Sequence, residues 1–191
     1  MRVGVLALQG DFREHLAALE HIGSASLPVK TAAEIKSVDA LILPGGESTT
    51  IAKLARIFGV FDLIKSRISE GLPVYGSCAG LILLANKILD GIEGQESFGG
   101  LNITARRNAF GRQVDSFEGE VDFKGLGKLN GVFIRAPWVE EVGNDVEILA
   151  SSHDHPVAVR QGNILATSFH PELTEDFAVH RYFVEQICKS V

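Results

Sequence analysis

Cysteine is almost missing from this chain, with only Cys78 and Cys188 among 191 residues. Two thiols cannot build the disulfide framework of a small secreted scaffold, and a four-ligand cysteine-rich zinc site is out of reach. Long apolar runs are missing too. The opening MRVGVLALQGD holds an apolar stretch of about seven residues. That is short for a signal peptide and far below the ~20 residues that span a bilayer. Nor is there a basic excess: 18 Lys and Arg face 24 Asp and Glu, for a net charge of −6. Nothing in that balance draws the chain to nucleic-acid phosphates or an anionic membrane. These absences lead us to expect a cytoplasmic protein with reduced thiols and neither nucleic-acid nor membrane partners. Repeats, low-complexity tracts and Pro/Gly/Ser linkers are also absent, so residues 1–191 are read as a single domain.

What is present is an alternation. Residues 2–8 form a valine- and leucine-rich run suited to a strand buried on both faces, followed by a helix over Phe12–His21 with Asp11 as N-cap. Residues 38–43 read as a strand, 49–58 and 61–70 as helices, 73–75 as a strand, and 79–89 as a helix. From Leu101 the runs shorten. Strands are expected at 101–104, 114–122, 131–135, 146–150, 157–161 and 164–168, with hairpin signals at Asn130-Gly131 and Gln161-Gly162-Asn163. A helix over 175–189 closes the chain. The fold class is α/β: a three-layer α/β/α sandwich with a mixed, mainly parallel sheet.

One of the two cysteines sits in a telling place. Gly76-Ser77-Cys78-Ala79-Gly80 follows a strand and opens an apolar helix. This is the cysteine counterpart of the G-x-S-x-G nucleophile elbow. Its glycines allow a strained turn and close strand–helix packing. A thiol at a helix N-terminus is favoured as thiolate, and the amide of Ala79 points to where an oxyanion would form. Cys188, in the last helix, reads as a small core residue.

A base is expected nearby. Ser168-Phe169-His170-Pro171-Glu172 follows the last strand, and loops at the C-terminal strand ends of a parallel sheet share one rim. His170 has the pKa range for a shuttled proton, and Glu172, across a stiff proline, can bond the far ring nitrogen. His15 and His21 read as solvated or capping residues of the first helix, and no metal site is expected at His153 and His155. A third loop, PGGEST at 44–49, follows a buried strand. The N–H of Gly46 suits a second oxyanion donor, with Ser48 or Thr49 as the plain helix N-cap. It lacks the lysine of a phosphate-binding P-loop.

A P-G-G turn, a G-x-C-x-G elbow and a final H-P-E, in this order, resemble the class I or triad glutamine amidotransferases over almost the whole chain. Leu8-Gln9-Gly10, PGGEST, CAGLILLA at 78–85, GRQVDSFE at 111–118, FIRAP at 133–137 and SFHPELTED at 168–176 narrow this further. They are similar to the glutaminase-subunit family of pyridoxal 5′-phosphate synthase. The resemblance implies a flavodoxin-like fold and a triad of Cys78 as nucleophile, His170 as base and Glu172 as orienting acid. It implies oxyanion donation by Gly46 and Ala79, no cofactor and no metal. Gly46, Glu47, Ser48, Arg107, Ile134 and Arg135 are then the L-glutamine contacts. An arginine suits the substrate carboxylate and Glu47 its ammonium. Apart from the resemblance, at least two of Arg106, Arg107 and Arg112 read as part of a solvated basic loop.

The implied partner is a separate barrel-shaped synthase subunit, held in a hetero-oligomeric complex. It takes up the ammonia to build the vitamin B6 ring. Its contact surface is expected on the rim around residues 9–14. Activity is expected to be low alone and higher in the complex. Rival readings are another class I glutaminase, a γ-glutamyl hydrolase, or a non-catalytic module whose cysteine senses oxidants.

Overall fold

A computed structural model describes residues 1–110 and 116–190. The chain runs β1 (Val3–Leu6), α1 (Phe12–His21), β2 (Ser26–Val29), α2 (Ala32–Lys36), β3 (Ala40–Leu43), α3 (Ser48–Ile57), α4 (Phe61–Ser69), β4 (Val74–Ser77) and α5 (Ala79–Leu84). There follow β5 (Ala85–Leu89), β6 (Leu101–Arg106), β7 (Ser116–Phe123), β8 (Gly127–Ile134), β9 (Trp138–Val142), β10 (Glu147–Ser152), β11 (His155–Gln161), β12 (Ile164–Thr167) and α6 (Ala178–Tyr182).

Seven strands form the main sheet in the order β10-β11-β12-β4-β3-β1-β2. All neighbours from β12 to β2 are parallel, while β11 runs antiparallel to both β10 and β12. Strand side chains alternate between two cores. Leu41, Leu43, Val74, Ile164 and Ala166 face the helices α2, α3, α4 and α5. Ala40, Ile42, Tyr75 and Leu165 face α1 and α6. A strand covered on both faces needs apolar residues at every position, which is why these runs are continuous rather than alternating. The expected three-layer α/β/α sandwich with a mainly parallel sheet is what forms.

Several elements depart from the sequence reading. The helix after Cys78 stops at Leu84 instead of running to 89, and Ala85–Leu89 pairs in parallel with β6. Helix propensity across 85–89 loses to a ladder that no local pattern announces. Asn130-Gly131 is no turn. It lies inside β8, and the hairpin turns at 124–126, with Gly125 at φ +85°. Gly131 is instead a packing position, where a Cβ would stand 2.8 Å from Phe133. The closing helix starts at Ala178, not 175, and passes into π geometry over Phe183–Ile187. The sequence reading contains no β2, α2 or β9, although Thr31 and Glu34 make a reciprocal capping box at the start of α2. The strand expected at 114–122 is seen as Ser116–Phe123, and residues 111–115, including Arg112, lie outside the described residues.

The topology puts the C-terminal ends of β1, β3, β4 and β12 side by side. In an open α/β sheet that edge is where ligands bind.

Candidate active site

Cys78 stands between the last residue of β4 and the first of α5, with φ +47° and ψ −98°. A non-glycine residue in that region is strained and persists only where its surroundings hold it. Here they do. The Cys78 N–H donates to the Thr167 carbonyl at 2.8 Å. A Cβ on Gly76 would lie 2.5 Å from the Gly80 backbone, and one on Gly80 would lie 2.3 Å from the Leu43 carbonyl. The two glycines of the motif therefore let β3, β4 and α5 meet at the elbow. Ala79 opens α5, where first-turn N–H groups have no intrahelical acceptor.

His170 comes from the segment after β12, anchored by its N–H to the Val132 carbonyl at 2.8 Å. Its Nδ1 lies 2.8 Å from Glu172 Oε1, and Cys78 is within hydrogen-bonding reach of the ring. Cys78, His170 and Glu172 are thus brought together as the sequence reading expected. All three are buried, and the Glu172 side chain has no exposed surface. Burial opposes the imidazolium, but the hydrogen bonds to Cys78 and Glu172 outweigh it and push His170 up to about 11. Burial also opposes the Glu172 carboxylate. His15 and His170 outweigh it and hold the group well below the usual carboxylate range. We expect His170 to remain protonated through neutral pH. In Cys78→Ala its pKa should fall toward the ordinary histidine value, read by NMR titration of the ring; an unchanged titration would show that the sulfur does not touch it.

Beside the sulfur lies a pocket of about 280 Å³ lined by Gly46, Glu47, Ser48, Arg107, Ile134 and Arg135, every residue assigned to substrate on sequence grounds. That is near the lower end for ligand pockets, so it suits a small polar molecule. Gly46 turns at φ +145°, a backbone reserved for glycine, and Arg135 at φ +42° closes the far wall. The N-cap of α3 is Glu47, not Ser48 or Thr49, and its carboxylate accepts from the Thr49 N–H. Glu47 also pairs with Arg107 at 2.9 Å. Arg107 in turn donates to Gln95 at 2.8 Å, and Gln95 to Ser48 at 3.0 Å. Of the arginines read as a solvated loop, Arg106 instead ends β6, half-buried and paired with Asp90 and Glu140. Arg107 turns inward, with 12% of its side chain exposed.

The structure adds residues that sequence reasoning missed. Gln9, Asp11, Ile82 and Asn108 also line the pocket. Gln9 accepts from the Glu47 N–H at 2.9 Å. Asp11 occupies the N-cap position of α1 but makes no side-chain cap. Its carboxylate lies 3.5 Å from His170 Nδ1. The signal was a polar Q-G-D at a strand's C-terminal end, which is a site position as well as a cap position. Asp11, His170 and Glu172 are the one group of metal-type ligands that converges among the described residues, and its central nitrogen is engaged with Glu172. His15 is not solvated or capping: it is fully buried and, with His180, packs behind Glu172.

A parallel α/β sheet with a cysteine at a strained elbow, a histidine at a neighbouring strand end and a glutamate behind it has the form of a triad glutamine amidotransferase. The comparisons agree. Residues 5–189 match the model of the SNO glutamine amidotransferase family. The chain is 59% identical to the pyridoxal 5′-phosphate synthase subunit PdxT of Mycobacteroides abscessus, covering 97% of this chain and 96% of that protein. It is 58% identical to the protein of that name from Streptomyces coelicolor, covering 97% and 93%. A crystal structure of a glutamine amidotransferase superposes with a TM-score of 0.92 at 52% identity, over 99% of both chains. A glutamine amidotransferase from Thermotoga maritima, 14% identical with a TM-score of 0.65 over 100% and 86% of the two chains, shares the fold. This chain belongs to the SNO glutamine amidotransferase family.

Proposed function

We propose that this protein hydrolyses L-glutamine to L-glutamate and ammonia and supplies the ammonia to a pyridoxal 5′-phosphate synthase, as one glutaminase domain. The observation that carries this reading is the meeting of Cys78, His170 and Glu172 beside a small pocket with one arginine and one carboxylate on its wall. The Cys78 thiolate attacks the side-chain amide carbon of glutamine. The resulting oxyanion is held by the backbone N–H groups of Gly46 and Ala79. The imidazolium of His170 gives its proton to the departing nitrogen, so ammonia leaves and a γ-glutamyl thioester remains. Water then adds to the thioester, His170 takes its proton, and glutamate departs as the sulfur is released. Glu172 holds the tautomer and orientation of His170 throughout.

Arg107 and Glu47 are paired with each other in this structure. Substrate exchanges that contact for its own ends, the α-carboxylate on Arg107 and the ammonium on Glu47. Removing a charge-assisted partner costs binding in substrate and transition state alike, so Arg107→Ala should raise KM about 10- to 100-fold with kcat little changed. A kcat loss at constant KM would place Arg107 elsewhere.

The partner is a barrel-shaped synthase subunit. It docks on the rim that includes Gln9 and Asp11, so its binding bears on the Gly45-Gly46 turn those residues touch. Glutamate release measured with and without the synthase subunit tests both statements. A rate that rises with the partner supports the coupled glutaminase. Equal rates would remove the coupling, and no release in either condition would remove the glutaminase reading.

A further inference from the structure

We infer that His15, backed by His180, is a positioning residue that donates into the Ser77–Glu172 pair and so presents Glu172 to His170 as an oriented, ionised acceptor. The inference rests on Glu172 as the orienting acid of the triad. Three buried rings and one hydroxyl form a chain. His180 Nε2 lies 2.9 Å from His15 Nδ1, and His15 Nε2 lies 3.0 Å from Ser77 Oγ and 3.4 Å from Glu172 Oε1. Ser77 Oγ donates to Glu172 Oε1 at 3.2 Å, and His170 Nδ1 meets the same oxygen at 2.8 Å.

The proton assignment follows from this pattern. The Ser77 hydroxyl spends its one proton on Glu172, so its oxygen accepts, and His15 Nε2 must be the donor. A neutral His15 then accepts at Nδ1, which makes His180 the donor through Nε2. That leaves His180 Nδ1 without a proton and without a partner, and this atom is indeed buried and unpaired. The opposite assignment would bury an unpaired N–H at His180. It would also aim a lone pair of His15 at the carboxylate or charge the ring. Beyond the His180–His15 link, the donors of Ser77, His15 and His170 thus gather at one oxygen, and Glu172 Oε2 has no partner. A carboxylate engaged on one oxygen by three neighbours has one orientation, which is what His170 needs to keep its own ring fixed.

Other charged and titratable groups surround Glu172. Asp11 on the loop before α1, Tyr75 on β4, Cys78 at the elbow and His180 on α6 all face this centre. Of these, Asp11 is a second carboxylate and works against ionisation of Glu172. His180 stays neutral, lowered to about 3 chiefly by burial. On the side of Glu172 away from His170, the donor from His15 is therefore joined only by the Ser77 hydroxyl, whose oxygen His15 itself holds.

Two substitutions of similar size separate this role from mere filling of space. The side-chain amide of glutamine reaches the position of Nε2, and that of asparagine the position of Nδ1. The assay is kcat/KM for glutamine against pH, in complex with the synthase subunit. It compares wild type, His15→Gln, His15→Asn and Glu172→Gln. His15→Asn should show an acidic limb at least about one pH unit higher and kcat about tenfold lower, with KM little changed. His15→Gln should stay within about twofold of wild type with the wild-type limb. Equal profiles for the two variants, whether both normal or both reduced, would overturn the inference. A Glu172→Gln as active as wild type would instead overturn the triad reading beneath it. Imidazole ¹⁵N NMR of the unsubstituted protein settles the point if either variant fails to fold: Nε2–H on His15 supports the assignment, and Nδ1–H overturns it.

Discussion

Cys78→Ala should release no measurable ammonia from glutamine, with or without the synthase subunit, while keeping the wild-type fold. The expected loss is about 10⁴-fold or more, as when the nucleophile of any triad is removed, because the remaining members have no bond-forming role of their own. Stability should change little. The residue is 7% exposed, and besides its contact with the His170 ring the sulfur makes a weak 4.0 Å approach to the Ile134 carbonyl, so alanine leaves no large void. Alanine keeps the Cβ at this strained backbone position, φ +47°, so the strain is unchanged and the backbone need not move. The result is read from ammonia release beside a thermal melt. Residual turnover within tenfold of wild type would give the chemistry to another group, while a collapsed melt would make Cys78 structural.

Gly10→Ala should be the most damaging small substitution outside the triad. Gly10 turns at φ +95°, where an L side chain is strained, and its Cβ would stand 1.8 Å from the Gly45 carbonyl oxygen. That obstacle is backbone, so the two loops must part. The Asp11 N–H to Gly45 carbonyl bond, 3.1 Å long, goes with them. Strain and overpacking together cost about 2–4 kcal/mol, and the melting temperature should fall by about 5–15 °C. Activity should fall further than stability explains. Gly45 lies against His170, where a Cβ would come within 2.4 Å of the ring, and Gly46 lies against Gln9. A displacement of ~1 Å in a reacting constellation costs about 100-fold in rate. A Gly10→Ala protein with wild-type melting and turnover would show that the loops part without moving the site.

Much of this could be read along the chain. Continuous apolar runs ending in Gly, Pro or Asp place β1, β3, β4 and β12 where they occur, since a strand covered on both faces can carry little else. The elbow around Cys78 and the H-P-E after β12 are local motifs whose chemistry follows from residue type and spacing. Where reading failed, the deciding contact was remote in sequence. Residues 85–89 became a strand because β6 lies beside them, and Asn130-Gly131 stayed inside β8 because its register with β7 puts Gly119 opposite Gly131. Arg106 and Arg107 are indistinguishable as neighbours in a basic run. One meets Asp90 and Glu140 at the surface, and the other meets Glu47 in the pocket.

The sequence by itself therefore determined the layered α/β class and singled out Cys78, His170 and Glu172 as a candidate triad, because each lies in a short segment. Only the tertiary structure decided that Asp11 leaves the helix cap for His170, and that Arg107 and Glu47 pair across the pocket. It alone decided that His15 and His180, 165 positions apart, stand within 2.9 Å of each other behind Glu172. A histidine on an amphipathic helix is solvated or buried according to what packs over it. That is a property of the assembled sheet and its covering helices, and no local pattern of α1 contains it.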